Sequence, residues 1–404
     1  MRTQYWLRWL VRLILLAAAI SLVAVGPVPA WLAKTVPACS PLAAISVTLT
    51  ARQWMPSLYW AVPPLLLATL AVWKGQLFCR WACPTGTLMS IGGKFSLHKR
   101  FLPMRISGVV FWSSLFAALI GRPVLLFLDP LSGFNRLAVP ARGLWSVAWL
   151  NLGLVLPALL VIGFVQPAIW CTHICPLGYA LRVCKRCPGR PGPKPPPTDP
   201  VRRDLLLGLI IGAPLALAIR RWAPLHKAPR QLPILPPGAA DPVTFASLCS
   251  RCYDCVRACP AKIIRISGVD DRALSQLFQP ELELRRGACM IDCNACSQVC
   301  PTGALNRLGL PAKKARQIGL ADIDVSKCLS WAREKPCMKC LEACPYDAIN
   351  ADINDFGTAR PVINSDACRG CGACLGACPP EVPIQAIAIE GVPRQRQCQS
   401  PLTT

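Results

Sequence analysis

Cysteine carries the chemistry of this chain: sixteen of its 24 cysteines fall in four runs of one pattern, the middle two with a longer gap after the first cysteine. "CSRCYDCVRACP" sets Cys249, Cys252, Cys255 and Cys259 ahead of Pro260, and "CMIDCNACSQVCP" sets Cys289, Cys293, Cys296 and Cys300 ahead of Pro301. "CLSWAREKPCMKCLEACP" supplies Cys328, Cys337, Cys340 and Cys344, and "CRGCGACLGACP" supplies Cys368, Cys371, Cys374 and Cys378. The first and last runs read C-x2-C-x2-C-x3-C-P, a spacing that holds [4Fe–4S] clusters. Three thiolates close in sequence take three corners of an iron–sulfur cube; the fourth, redirected by the proline, reaches a neighbouring cube. Four [4Fe–4S] clusters, built as pairs, are expected. Zinc fits poorly, because its sites use two C-x2-C pairs or Cys/His mixtures and no histidine lies in this region.

Two further pairs stand apart, Cys79 and Cys83 in "FCRWACPTG" and Cys171 and Cys175 in "WCTHICPLG". Two copies of C-x3-C-P-x-G supply four thiolates, enough for one further Fe–S cluster, against the plain alternative of buried structural cysteines. Cys184 and Cys187 add two candidate ligands nearby. His173, between two of the candidate ligands, is either a hydrogen-bonded loop histidine or a proton-transfer group. Asp129 in "FLDPLSG" is the only acid in the first 198 residues, and reads as a helix-end residue or an outward-facing proton acceptor. No C-x-x-C precedes a histidine, so c-type haem is excluded. The three histidines do not pair within a span for haem b, and no nucleotide-binding glycine signature stands at a strand–helix junction.

The elements that must position these groups divide the chain. Apolar residues make up 53% of it and charged residues 16%, a membrane-protein profile. Leu13–Leu32, Met55–Trp73, Ile106–Leu128 and Leu144–Trp170 are long enough for helices across ~30 Å of hydrocarbon. Lys and Arg favour the N-terminal tail and loops 74–105 and 171–203 over loops 33–54 and 122–142 by sixteen to five, which assigns the first set to the cytoplasm. The net charge of +24 follows these segment ends and forms no stripe on a polar domain, so nucleic acid is not an expected partner. "PGRPGPKPPPTDP" (188–200) reads as a stiff linker. It leads to "VRRDLLLGLIIGAPLALAIRRW" (201–222), whose short apolar core behind an arginine pair reads as a twin-arginine signal anchor. After a second linker (223–240), each cysteine run is followed by a strand-like tail: "AKIIRI", "TGALNRL", "YDAINADI" and "IQAIAI".

Through "LFCRWACP", "DPLSG" and "WCTHICPLG", residues 1–187 resemble membrane quinol-dehydrogenase proteins of the NapH/MauN type, related to the NosR group. Residues 200–404 resemble NapG/MauM ferredoxin-type proteins through the arginine pair, "LPPGAADPVTFASLCSRCYDCVRACP" and the four-motif layout. The chain looks like a fusion of the two. The fold expected is an α-helical membrane bundle of four helices plus a fifth signal-anchor helix, followed by an α+β ferredoxin-like domain (241–404) with four [4Fe–4S] motifs. The resemblance implies electron flow from membrane quinol to a periplasmic redox partner such as a cytochrome or a nitrate-reductase-like system. The alternative is reducing power for maturing a periplasmic metalloprotein. It also implies a multi-pass protein of the bacterial inner membrane, with its N-terminus cytoplasmic and its ferredoxin domain periplasmic.

Overall fold

The computed structural model describes residues 2–24, 40–51, 58–74, 77–95, 106–120, 128–136, 169–184, 200–222, 232–267, 278–353, 357–379 and 385–398. Its N-terminal half is helical. In chain order it contains α1 (Arg2–Ala24), α2 (Pro41–Ala51), α3 (Leu58–Lys74), α4 (Leu77–Trp81), α5 (Pro84–Gly92), α6 (Ser107–Leu119) and α7 (Pro130–Arg136). A π turn (Trp170–Ile174), α8 (Pro176–Cys184) and α9 (Pro200–Trp222) follow.

These helices overturn the expected membrane bundle. Among the described residues no helix is long and apolar enough to cross a membrane. In α1 the arginines extend to Arg12, and the uncharged remainder, Leu13–Ala24, rises only about 18 Å. α3 has 17 residues and contains Pro63 and Pro64, and α6 has 13. In α9 the uncharged core runs from Leu205 to Ile219, about 22 Å against the ~30 Å of hydrocarbon. Of the fourth expected span, all but its last two residues lies outside the described residues.

The expected orientation is corrected as well. Thr85 and Pro130 belong to loops that the charge rule put on opposite faces, yet a buried hydrogen bond runs from Thr85 Oγ1 to the Pro130 carbonyl at 3.1 Å. The multi-pass inner-membrane placement, with its cytoplasmic N-terminus, falls with it. The signal-anchor segment is instead a helix packed along α6. A Cβ at Gly208 would lie 2.4 Å from Trp112 Cβ, and one at Gly212 would lie 2.6 Å from Ser113 Cα, so these glycines permit close backbone approach. Asp204 is buried and pairs with Arg203 at 2.9 Å.

The C-terminal half is the expected α+β arrangement. It runs α10 (Pro242–Leu248), α11 (Asp254–Ala258), β1 (Ile264–Ile266), β2 (Pro280–Leu282), α12 (Ala295–Gln298), α13 (Leu310–Lys314) and β3 (Gly319–Ile323). It continues α14 (Leu329–Ala332), α15 (Lys339–Glu342), β4 (Ile349–Ile353), β5 (Ala359–Ile363), α16 (Ala373–Ala377) and β6 (Ile387–Gly391). The strands form three antiparallel pairs, β1–β2, β3–β6 and β4–β5. Three of the four tails become strands. "TGALNRL" does not, because its backbone partner is a loop: Asn306 N donates to the Gly238 carbonyl at 2.9 Å. Residues 232–240 pack into this half, with Leu235 and Ala239 buried and the Gln395 amide donating to the Leu235 and Pro236 carbonyls. One apolar core, including Tyr253, Ile263, Leu305, Ala348 and Ile387, surrounds the cysteines.

Candidate metal centres

Each ferredoxin motif is a short loop closed by a short helix that contains its third cysteine: α11, α12, α15 and α16. In the first loop Arg251 (φ 55°) and Tyr253 (φ 64°) take left-handed backbone; in the fourth, Gly370 (φ 67°) and Gly372 (φ 92°) occupy the same places. Such alternation curls a loop so that its N–H groups face inward. Backbone N–H groups of Arg251, Asp254 and Ala373 accordingly bond to the sulfurs of Cys249, Cys252 and Cys371.

The fourth cysteine of each run stands with its partner's first three. Burial pushes the Cys249 thiol up to about 11 and also raises Cys252 and Cys255, and all three feel Cys300. Burial likewise raises Cys289 and Cys296, and both feel Cys259 as well as Cys293. Cys371, pushed to about 11, and Cys374, to about 12, are buried beside Cys344, with Cys368 in the same group. Cys328, Cys337 and Cys340 line one cavity together with Cys378. Among the described residues no group of three or more His, Cys, Asp or Glu side chains is arranged to hold a lone metal ion. Four soft thiols around one space fit a cube of iron and sulfide better than a lone ion.

The N-terminal pairs converge on a second kind of site. Cys79, Cys83, Cys171 and Cys175 line one cavity with Arg8, Arg12, Arg80 and Arg182. Its halves repeat each other. Gly86 N donates to Cys83 Sγ at 3.4 Å, and Gly178 N donates to Cys175 Sγ at 3.3 Å. Arg12 Nη2 donates to the Gly86 carbonyl at 3.0 Å, and Arg182 Nε to the Gly178 carbonyl at 3.1 Å. Burial pushes the Cys83 thiol to about 11, opposed by the N–H groups of Gly86 and Thr85, and pushes Cys171 to about 12. Burial also raises Cys79 and Cys175. The two arginines escaped the sequence reading because each lies beside an apolar run, where basic residues are ordinary flanks. They do not repeat in register: Arg182 follows Gly178 by four residues, where Gly86 is followed by Ser90, and Arg12 comes from α1.

His173 is buried; its Nδ1 lies 2.5 Å from Thr172 Oγ1 and its carbonyl accepts from Ile106 N at 3.0 Å. Thr172 lines the cysteine cavity and His173 does not. Asp129 is buried at the start of α7, accepting from Ser132 N at 2.9 Å and Ser40 Oγ at 2.5 Å. Burial raises its carboxyl, against those hydrogen bonds. Cys187 and the side chain of Cys184 lie outside the described residues.

Helix α7 joins the two kinds of site. Pro130, at its start, lines the N-terminal cavity. At its end, Asn135 Nδ2 donates to both carboxylate oxygens of Asp254 at 3.1 and 3.2 Å. Arg136 donates to the carbonyls of Arg251 at 2.9 Å and Ser250 at 3.4 Å. Both contacts fall within the first cysteine loop. Seven residues rise about 10 Å, so the N-terminal cavity and that loop are near neighbours.

Two stretches match the family description "4Fe-4S dicluster domain", residues 248–305 and 335–382. Methylamine utilization ferredoxin-type protein MauM of Methylorubrum extorquens is 30% identical over 193 residues, which cover 45% of this chain and 86% of the relative. MauM of Paracoccus denitrificans is 32% identical, over 41% of this chain and 74% of its own length. Ferredoxin-type protein NapG of Escherichia coli is 34% identical, over 37% and 67% respectively. No solved structure is significantly similar to the chain. With two dicluster matches that take in every motif cysteine but Cys328, and this likeness to relatives along most of their length, the chain belongs to the MauM/NapG family of ferredoxin-type proteins, iron–sulfur proteins of electron transfer that carry [4Fe–4S] clusters.

Proposed function

We propose that the chain passes electrons from a quinol, received at the N-terminal cysteine cavity, through a series of clusters to a separate redox protein such as a cytochrome or a reductase. The observation that carries this reading is the crossing of cysteines between runs. On it, Cys249, Cys252, Cys255 and Cys300 hold the first cluster, and Cys289, Cys293, Cys296 and Cys259 the second. Cys328, Cys337, Cys340 and Cys378 hold the third, and Cys368, Cys371, Cys374 and Cys344 the fourth. Cys79, Cys83, Cys171 and Cys175 hold a fifth. A bound [4Fe–4S] cluster supplies one-electron chemistry at a potential set by charge, burial and hydrogen bonds to sulfur.

The chain's own residues provide those settings. Backbone N–H groups donate to Cys300 Sγ at 3.4 Å and Cys344 Sγ at 3.3 Å, which favours the more negative, reduced state. In the N-terminal cavity, cationic Arg12 and Arg182 offset the negative charge of four thiolates. Support for a lipophilic donor comes from α1, where Tyr5, Trp6, Leu7 and Leu10 are exposed on the helix that supplies Arg8 and Arg12. The NapH/MauN resemblance of residues 1–187 supports the same donor. A second reading, reducing power for assembling another protein's cofactor, is favoured by the words "methylamine utilization" in the names of two relatives.

Metal analysis of the purified full chain tests the assignment. It should give about twenty iron and twenty sulfide, falling to about sixteen in Cys79→Ser with Cys171→Ser. The same variant should lose reduction by duroquinol and keep reduction by dithionite. Stoichiometric zinc in place of iron overturns the reading, and sixteen iron in the parent leaves the N-terminal cysteines without a cluster.

A further inference from the structure

The contacts between motifs, taken with the cluster assignment proposed above, put the clusters in one order. The first and second share their crossing cysteines, Cys259 and Cys300, as the third and fourth share Cys344 and Cys378. Among the described residues a direct backbone link joins the pairs: Cys289 N donates to the Cys371 carbonyl at 2.7 Å, so the second cluster neighbours the fourth. Helix α7 places the N-terminal cavity beside the first. The series is therefore N-terminal site, first, second, fourth, third. The third cluster is its free end.

The third motif is also built differently. Its first two cysteines are separated by eight residues, "LSWAREKP", where ligation in the first and fourth motifs needs two. The insert makes α14 and an exposed stretch over 332–336, anchored where Trp331 Nε1 donates to the Pro361 carbonyl at 3.2 Å. The adjoining cavity, lined by Cys328, Cys337, Cys340 and Cys378, is also lined by Lys327 and Lys339. Of the acids in this stretch, Asp324 pairs with Lys327 and Glu334 lies 3.8 Å from Arg360. Arg333, Lys335 and Lys339 are exposed and make no ion pair among the described residues.

We propose that the insert of the third motif is the docking platform for an acidic, single-electron protein, which exchanges electrons with the cluster held by Cys328, Cys337, Cys340 and Cys378. Ligation does not require the insert, and its unpaired charges stand beside the cluster at the end of the series far from the N-terminal site. A cationic rim of this kind steers an anionic partner and sets the association rate more than the final affinity. The inference rests on the cluster assignment and adds the place and charge of the exit.

Reduced plant-type [2Fe–2S] ferredoxin, a small acidic carrier, serves as the probe. Stopped-flow reduction of the oxidised full chain should slow about tenfold from low to high salt, and about tenfold in Arg333→Glu, Lys335→Glu, Lys339→Glu at low salt. A variant of equal charge change at exposed positions elsewhere, Lys262→Glu, Arg285→Glu, Arg394→Glu, should stay close to the parent rate. Dithionite, which needs no docking, should reduce all three proteins alike, and their iron contents should match. A parent rate in the first variant, or equal slowing in both, overturns the platform. Absence of iron from the parent instead removes the cluster assignment itself, and the platform with it.

Discussion

Gly86 and Gly178 bear the tightest steric demand at the N-terminal site. A Cβ at Gly86 would lie 3.0 Å from the Cys79 carbonyl oxygen, and one at Gly178 would lie 3.0 Å from that of Cys171. The glycine that ends each C-P-x-G turn thus sets where the first cysteine of its pair can sit. Gly86→Ala or Gly178→Ala should displace that cysteine while leaving the ferredoxin half intact. Iron should fall from about twenty towards sixteen per chain, with the loss confined to one cluster; unchanged iron would mean that the turn relaxes without cost to the site. At this scale the sequence was most legible, because thiol spacing is a local property and each cysteine run shows its own. That the last cysteine of each run crosses to a partner is expected from the proline that follows it, but which run is the partner is not a local property. Arg12 was not legible, since its contacts with Gly86, Ser90 and Thr87 span more than seventy residues.

Among the elements, α7 does the most with the fewest residues. Asp254 is buried, and burial pushes its carboxyl up to about 7 against the pull of Arg257, 3.0 Å away, and the hydrogen bonds from Asn135. Asn135→Leu removes two donors from a carboxylate that water cannot reach. The expected cost is about 1–3 kcal/mol, read as a lower thermal midpoint for the full chain. Faster bleaching of the first cluster in air should accompany it, because Asp254 lies between Cys252 and Cys255. A midpoint equal to the parent's would mean that α7 only rests on the ferredoxin half. The helices were the least legible elements. An uncharged run of fifteen to twenty residues looks alike whether it faces lipid or another helix. In α9 the discriminating signal was the glycine spacing of "GLIIG", which marks a face pressed against α6 at Trp112 and Ser113. The length of each run had outweighed it.

For the whole molecule, the consequence is that two halves with separate cysteine chemistry form one body. The charge-based orientation had left a gap, with thiols at one face and the ferredoxin domain at the other. The contacts of Thr85 with Pro130 and of Asn135 with Asp254 close it. The resulting order can be tested without a partner, because neighbouring paramagnetic clusters broaden each other's resonances and an isolated one does not. Cys368→Ala with Cys374→Ala should remove the fourth cluster while leaving Cys378 for the third and Cys344 in place. After full reduction by dithionite, the variant should then show one narrow, isolated signal from the third cluster over the broad signal of the others. Cys328→Ala with Cys340→Ala removes the end of the series instead, and every remaining cluster keeps a neighbour, so no isolated signal should arise. If the two variants give the same spectrum, or if the isolated signal appears in the second, the third cluster is not the end. The order drawn from the Cys289–Cys371 contact is then wrong.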